Sequence, residues 1–256
     1  MWNRGGLYGF RGTGAVVTGL LLGFMLVLAG CNIGGAGAPA GKSNADLLKE
    51  AADNMRAAKS YHMSADFTQG DQQVKYEGDI DLANKNMKLD LTSSGQNISM
   101  IQIGQDSYLS LDGGATYTKA PEGSAADLTG IAEIWSSFSD EDVDKAKDAL
   151  KDGTPPTETI DGTQTKHITA NAKDLQSLKT SSSSVDSGTV DIWITTDSKP
   201  TVRQMKFDGT SDGKPLKGTF KWTKINEQFK IEPPPQSERV QPAGIAVVVA
   251  VSFRLS

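Results

Sequence analysis

From Tyr61 to Leu82 apolar and polar side chains alternate with a period of two. Tyr61, Met63, Ala65 and Phe67 stand against His62, Ser64 and Asp66; Val74, Tyr76, Gly78, Ile80 and Leu82 stand against Lys75, Glu77, Asp79 and Asp81. That period sends alternate side chains to opposite faces of a strand, so both stretches predict half-buried β-strands. Met87, Leu89 and Leu91 continue the series, then Ile98, Met100 and an apolar stretch to Ile103, then 108–111 and 116–119. Turn signals separate the runs at Gly70-Asp71, Ala83-Asn84, Ser94-Gly95 and Gly113-Gly114. Short strands at this spacing predict an antiparallel meander with one buried face.

Helical spacing brackets the meander. Before it, Ser43 and Asp46 give an S-x-x-D start signal, and Leu48, Ala51, Ala52, Met55 and Ala58 recur on one face. After it, Ser124 and Asp127 precede Leu128, Ile131, Ile134, Trp135 and Phe138, and Ser139 and Asp142 precede Val143, Ala146 and Leu150. Gly153-Thr154-Pro155-Pro156 ends this helical pair. Strands return at 158–160 and 165–169, with a short helix over 172–178 and a loop through 181–184. Further strands are predicted at 189–195, 202–207 and 218–231, with an Asp212-Gly213 turn between the last two. From Pro233 a proline-rich start leads to an apolar run at 245–251, too short to span a bilayer. That tail over 233–256 admits three readings: an added strand, a sticky tail, or sequence outside its proper frame.

The N-terminus changes the picture from a fold to an address. Arg4 and Arg11 precede an apolar segment over 15–27, within the roughly 7–15 residues of a signal-peptide core and below the about 18 of a membrane span. Leu28-Ala29-Gly30-Cys31 follows and is similar to a bacterial lipobox, with cleavage between Gly30 and Cys31 and lipidation of Cys31 as a diacylglyceryl cysteine. Cys31 is the single cysteine, so no intramolecular disulfide supports the exported body. The expected division is a signal peptide over 1–30, a lipidated cysteine and Gly/Ala-rich tether over 31–42, a folded domain over 43–232, and the tail.

Without residues 1–30 the chain carries 24 basic and 31 acidic side chains, a net charge of −7 against −5 for the whole. An acidic chain without a basic block argues against nucleic acid and against electrostatic adhesion to anionic lipid. Attachment to the outer face of a bacterial cell membrane is then expected through acyl chains such as palmitate on Cys31. At about 0.8 kcal/mol per buried CH₂, two chains hold stably where one does not.

Catalytic signals are few. His62 and His167 fall on the polar phase of separate strands, without a G-x-S-x-G elbow, and read as surface histidines. Asp140, Glu141, Asp142 and Asp144 sit at a predicted helix start, where acids complement the helix dipole. No phosphate-binding glycine loop is present, and no enzyme activity, metal or cofactor beyond the covalent lipid is expected.

The apolar phase is the remaining candidate. It carries Tyr61, Met63, Phe67, Val74, Tyr76, Met87, Leu89, Ile98, Met100, Ile192 and Phe207, joined by Ile131, Trp135 and Phe138 of the helical pair. These residues make either a filled core or the lining of a cavity.

The order of elements resembles the LppX/LprG-like bacterial lipoproteins, whose fold is shared with the periplasmic carrier LolA. The resemblance rests on Leu47-Leu48 through Lys59-Ser60-Tyr61-His62, on Ile103-Gly104 with Asp106-Ser107-Tyr108-Leu109, and on Val190-Asp191-Ile192-Trp193-Ile194 with Pro200 and Val202-Arg203. It implies an α+β fold: a half-open antiparallel β-barrel with an N-terminal helix and a helical insert across the concave face. It also implies an apolar cavity for acyl chains, and so a monomeric, membrane-anchored lipoprotein that binds lipid and carries it across the envelope. The rival expectation is an envelope sensor or scaffold that uses the same fold to contact a protein.

Overall fold

A computed structural model describes residues 42–93, 95–120, 135, 150, 153–171, 185–211, 213–235 and 239–240. Helix α1 (Asn44–Arg56) opens the described chain, and the side chain of Ser43 accepts a hydrogen bond from the Asp46 amide, as the start signal predicts. Leu48, Ala51, Ala52 and Met55 form its buried face. Small residues there let the helix lie close across β9 and β10. Replacing Ser43 with Ala removes the cap acceptor and should cost about 1 kcal/mol, read as a lower midpoint in urea.

The strands are β1 (Ser60–Gln69), β2 (Gln72–Asp81), β3 (Asn86–Ser93), β4 (Gln96–Ile103), β5 (Asp106–Ser110) and β6 (Tyr117–Lys119), followed by β7 (Thr157–Ile160), β8 (Thr163–Asn171), β9 (Val185–Thr195), β10 (Val202–Ser211), β11 (Lys214–Thr223) and β12 (Arg239–Val240). They form one sheet in the order β12-β6-β5-β4-β3-β2-β1-β11-β10-β9-β8-β7. Every pair among β1–β11 is antiparallel, and β12 adds two residues parallel to β6. The two meanders meet where β1 pairs with β11, Ala65 opposite Phe220. Among the described residues the sheet ends at β7 and β12 and does not close into a barrel.

Two glycines show where it bends. Gly78 shares the inner phase of β2 with Tyr76 and Ile80, and a Cβ built there would collide with the Lys88 carbonyl oxygen and lie 2.9 Å from Leu89 Cα. The inward direction at Gly78 therefore points at the backbone of β3, so the two strands fold toward the inner face. Gly209 of β10 meets the backbone of Ser187 and Gly188 of β9 in the same way. Glycines at such bends let a sheet become concave on one side.

Several expectations need correction. The strand predicted over 218–231 runs from Lys214 to Thr223 and stops there. Lys224 and Asn226 take positive φ values of 52° and 61°, and Asn226 turns back to bond Lys59 and Ser60. Beyond it Ile231 packs on the outer face against Ile101, Tyr108 and Tyr117. That cover explains why the apolar run ending at Ile103 does not alternate: β4 is buried on both sides. Leu150, predicted as the last apolar position of a helix, makes an antiparallel bridge with Ala170. Of the rest of the predicted helical insert only Trp135 is described, at a turn and buried; the remainder, including Ile131 and Phe138, lies outside the described residues, as do the short helix over 172–178, the acidic run at 140–144, the run at 245–251, and Gly30 and Cys31.

Candidate functional site

The inner face of the curl is one apolar surface, and register shows how it is built. One row crosses the sheet through Tyr76, Ala65, Phe220, Met205, Ile192 and Ile168; its neighbour runs through Val74, Phe67, Gly218, Phe207, Val190 and Ala170. Large rings alternate with small residues, so each ring overlies a neighbour without a Cβ or with only a methyl. Phe67 stacks on Tyr76 and Phe220 at centroid distances of 5.9 and 6.1 Å. Phe220 lies 6.0 Å from both Phe207 and Trp222. The Trp135 ring meets Trp222 edge-on at 5.0 Å.

Tyr61, Met63, Phe67, Val74, Tyr76, Met87, Leu89, Met100, Trp135, Ile192 and Phe207 all fall in this single buried cluster, with Ile98 partly buried against it. Leu48 and Met55 join it from α1. Reading the strands by phase missed Met205, Leu216, Phe220 and Trp222 as members. The signal was present, since Leu216, Phe220 and Trp222 alternate with Lys217, Thr219 and Lys221. Burial raises the phenol pKa of Tyr76 far above its ordinary value, so the ring stays neutral across the physiological range.

The histidines lie elsewhere and apart, His62 on β1 and His167 on β8, both facing away from this cluster. His62 Nδ1 sits 2.7 Å from Asp79 Oδ1. His167 lies between two carboxylates, with Nδ1 2.9 Å from Glu158 Oε1 and Nε2 2.9 Å from Asp191 Oδ1, and its ring stacks on Trp193 at 4.3 Å. Trp193 Nε1 donates to Glu158 Oε2 at 2.7 Å, and Thr169 Oγ1 donates to Asp191 at 2.7 Å. Both histidines lie on the outer, polar phase of their strands as expected, mostly covered there and paired with carboxylates. The nearest hydroxyl, Thr169, gives its proton to Asp191, so this group joins β7, β8 and β9 and offers no activated nucleophile. Among the described residues no group of three or more His, Cys, Asp or Glu side chains is placed to hold a metal.

Hydrogen bonds from Trp193 and then His167 hold the Glu158 carboxyl below its ordinary value, and a bond from Lys221 does the same for Asp161. Each titrates lower folded than unfolded, so its contribution to stability is present at neutral pH and is lost as pH falls through the acidic carboxylate range. The melting temperature should therefore fall between about pH 5 and pH 3, and Glu158→Gln should make that fall shallower. Calorimetry across that range checks it.

Two solved structures are distantly similar to this chain. The Mycobacterium tuberculosis lipoprotein LppX is 17% identical, with 73% of this chain and 96% of that one covered and a TM-score of 0.48. An uncharacterized conserved protein from Thermus thermophilus is 7% identical, with 76% and 96% covered and a TM-score of 0.36. Both likenesses are distant. No family model matches the chain, and no curated protein does. Among the described residues no helix is long and apolar enough to cross a membrane.

Proposed function

We propose that this chain is an exported lipoprotein, anchored through acylated Cys31, that binds the acyl chains of a second lipid against the concave face of its sheet and carries it between sites in the envelope. The observation that supports this reading best is the continuity of the inner apolar surface, which runs from Met100 on β4 to Ile168 on β8. A soluble domain needs a core, but this cluster carries seven aromatic rings and five methionines, whose thioethers adapt to irregular partners. Acyl chains would be held by apolar burial, at about 25 cal/mol per Å² before ordering costs. On this reading the chains take the place of side chains that now cover the face, Trp135 among them. The lipobox supplies the anchor and the tether over 32–42 supplies reach.

The test is extraction of the full chain, purified from bacterial membranes, followed by mass spectrometry. The expected result is a non-covalent lipid at near-equimolar amount together with acyl groups on Cys31; a chain with no co-purifying lipid overturns the carrier role. Cys31→Ala should move the protein from the membrane fraction to the soluble fraction while leaving the co-purifying lipid in place.

One observation supports a second reading, an envelope sensor or scaffold. The largest inner-face side chains, including Trp222, Tyr61 and Phe207, are almost wholly buried, as in a filled core that serves only to hold an outer surface. A partner protein captured from crosslinked membranes, with no lipid in the purified chain, is the outcome that favours it.

A further inference from the structure

Trp222 is the next-to-last residue of β11, opposite Met63 of β1, and is 1% exposed. Its indole lies in the inner apolar cluster, stacked on Phe220 and met edge-on by Trp135. Its Nε1–H is buried and has no hydrogen-bond partner among the described residues. A buried donor left unbonded costs about 1–3 kcal/mol, so native chains seldom keep one without a use. By contrast, Trp193 on the outer face donates to a carboxylate at 2.7 Å. Phenylalanine would supply the apolar ring at position 222 without the cost.

An apolar surface holds any acyl chain, and by itself reads neither the depth of the chain nor how it is linked. One N–H donor in that surface supplies what is missing. A hydrocarbon tail offers it nothing, an ether oxygen is a weak acceptor, and an ester carbonyl oxygen is a strong one. Met63, opposite Trp222 on β1, and Gly78, beyond Met63 on β2, offer no strong side-chain acceptor to compete.

We infer that the Trp222 indole N–H is the polar anchor of the lipid site, donating to the carbonyl oxygen of an ester-linked acyl chain and so selecting ester lipids over ether lipids of the same length. This rests on the carrier reading above and names its ligand class. The carbonyl would take the position over Trp222 that Trp135 occupies here. A pocket that hydrogen-bonds its ligand discriminates against an analogue lacking the acceptor, because the donor is then left unpaired.

The test titrates the full chain, purified in a nonionic detergent, with dipalmitoylglycerol and with its ether analogue dihexadecylglycerol. The unaltered chain should bind the ester about three- to tenfold more tightly, the range that one neutral hydrogen bond supplies. Trp222→Phe should lose that preference by weakening the ester alone, with ether binding unchanged within about twofold. Equal affinity of the unaltered chain for both lipids overturns the inference while leaving the carrier role standing, and so does a Trp222→Phe variant that keeps the preference. Binding of neither lipid by the unaltered chain overturns both. If the variant does not fold, equal affinity of the unaltered chain for the two lipids still overturns the inference.

Discussion

Gly78→Ala should lower stability by about 3 kcal/mol or more, a drop of roughly 6–12 °C in melting temperature for a domain of this size. The added methyl would collide with the carbonyl oxygen of Lys88 and crowd Leu89 Cα. Both are main-chain atoms of β3, so no rotamer change relieves the contact. Relief requires β2 and β3 to part, in register pairs that run from Val74–Ser93 to Asp81–Asn86. Opening them would also pull apart Tyr76, Ile80, Met87 and Leu89, all buried in the inner cluster. Gly78→Val should leave no folded protein to measure. Lys88→Ala, at an exposed side chain beside the same bend, should change the melting temperature by no more than about two degrees. Differential scanning calorimetry of the three variants tests whether the curl depends on this one close approach. A Gly78→Ala chain as stable as the original would mean that the sheet opens there at little cost.

Much of this fold was legible because local pattern and tertiary burial agree. In β1 and β2 the period of two in the sequence is the burial pattern itself, Phe67 and Tyr76 inside, Asp66 and Lys75 outside. Ser43 announced α1 because a cap is a contact between neighbours in sequence. Where distant segments decide, the pattern fell short. Nothing near Thr223 states that Lys224 and Asn226 will turn, since the partners of Asn226 are Lys59 and Ser60, far earlier in the chain. Likewise, nothing near Ile101 accounts for an apolar side chain on the outer phase of β4 until Ile231 arrives to cover that face.

The candidate site divides along the same line. Phase alone assigns Tyr61, Phe67 and Tyr76 to the buried side, but that Phe67 meets Phe220 depends on the pairing of β1 with β11. Trp222 is the residue whose role sequence reveals least. A tryptophan in a strand reads as core, and only the atoms around its nitrogen show that the donor has no partner among the described residues.

Phe207→Ala should cost about 3–5 kcal/mol in the lipid-free chain, because its ring is fully buried and has no water to fall back on. The ring overlies Gly218, where a Cβ would come within 2.6 Å of it, and lies 6.0 Å from Phe220. The carrier and scaffold readings part at this point. A filled core has no other occupant, so the variant stays destabilised whatever is added. A lipid site does have one, since an acyl chain lying along the inner face can occupy volume that the ring gave up. Saturating lipid stabilises a chain that binds it only when folded, by about 2.7 kcal/mol at a hundred times the dissociation constant. Under the carrier reading, dipalmitoylglycerol should therefore raise the melting temperature of both chains, and that of Phe207→Ala by more. An unchanged melting temperature in both chains would favour the scaffold. Thermal unfolding of the two proteins, with and without lipid in the same detergent, separates these outcomes whatever the natural cargo is.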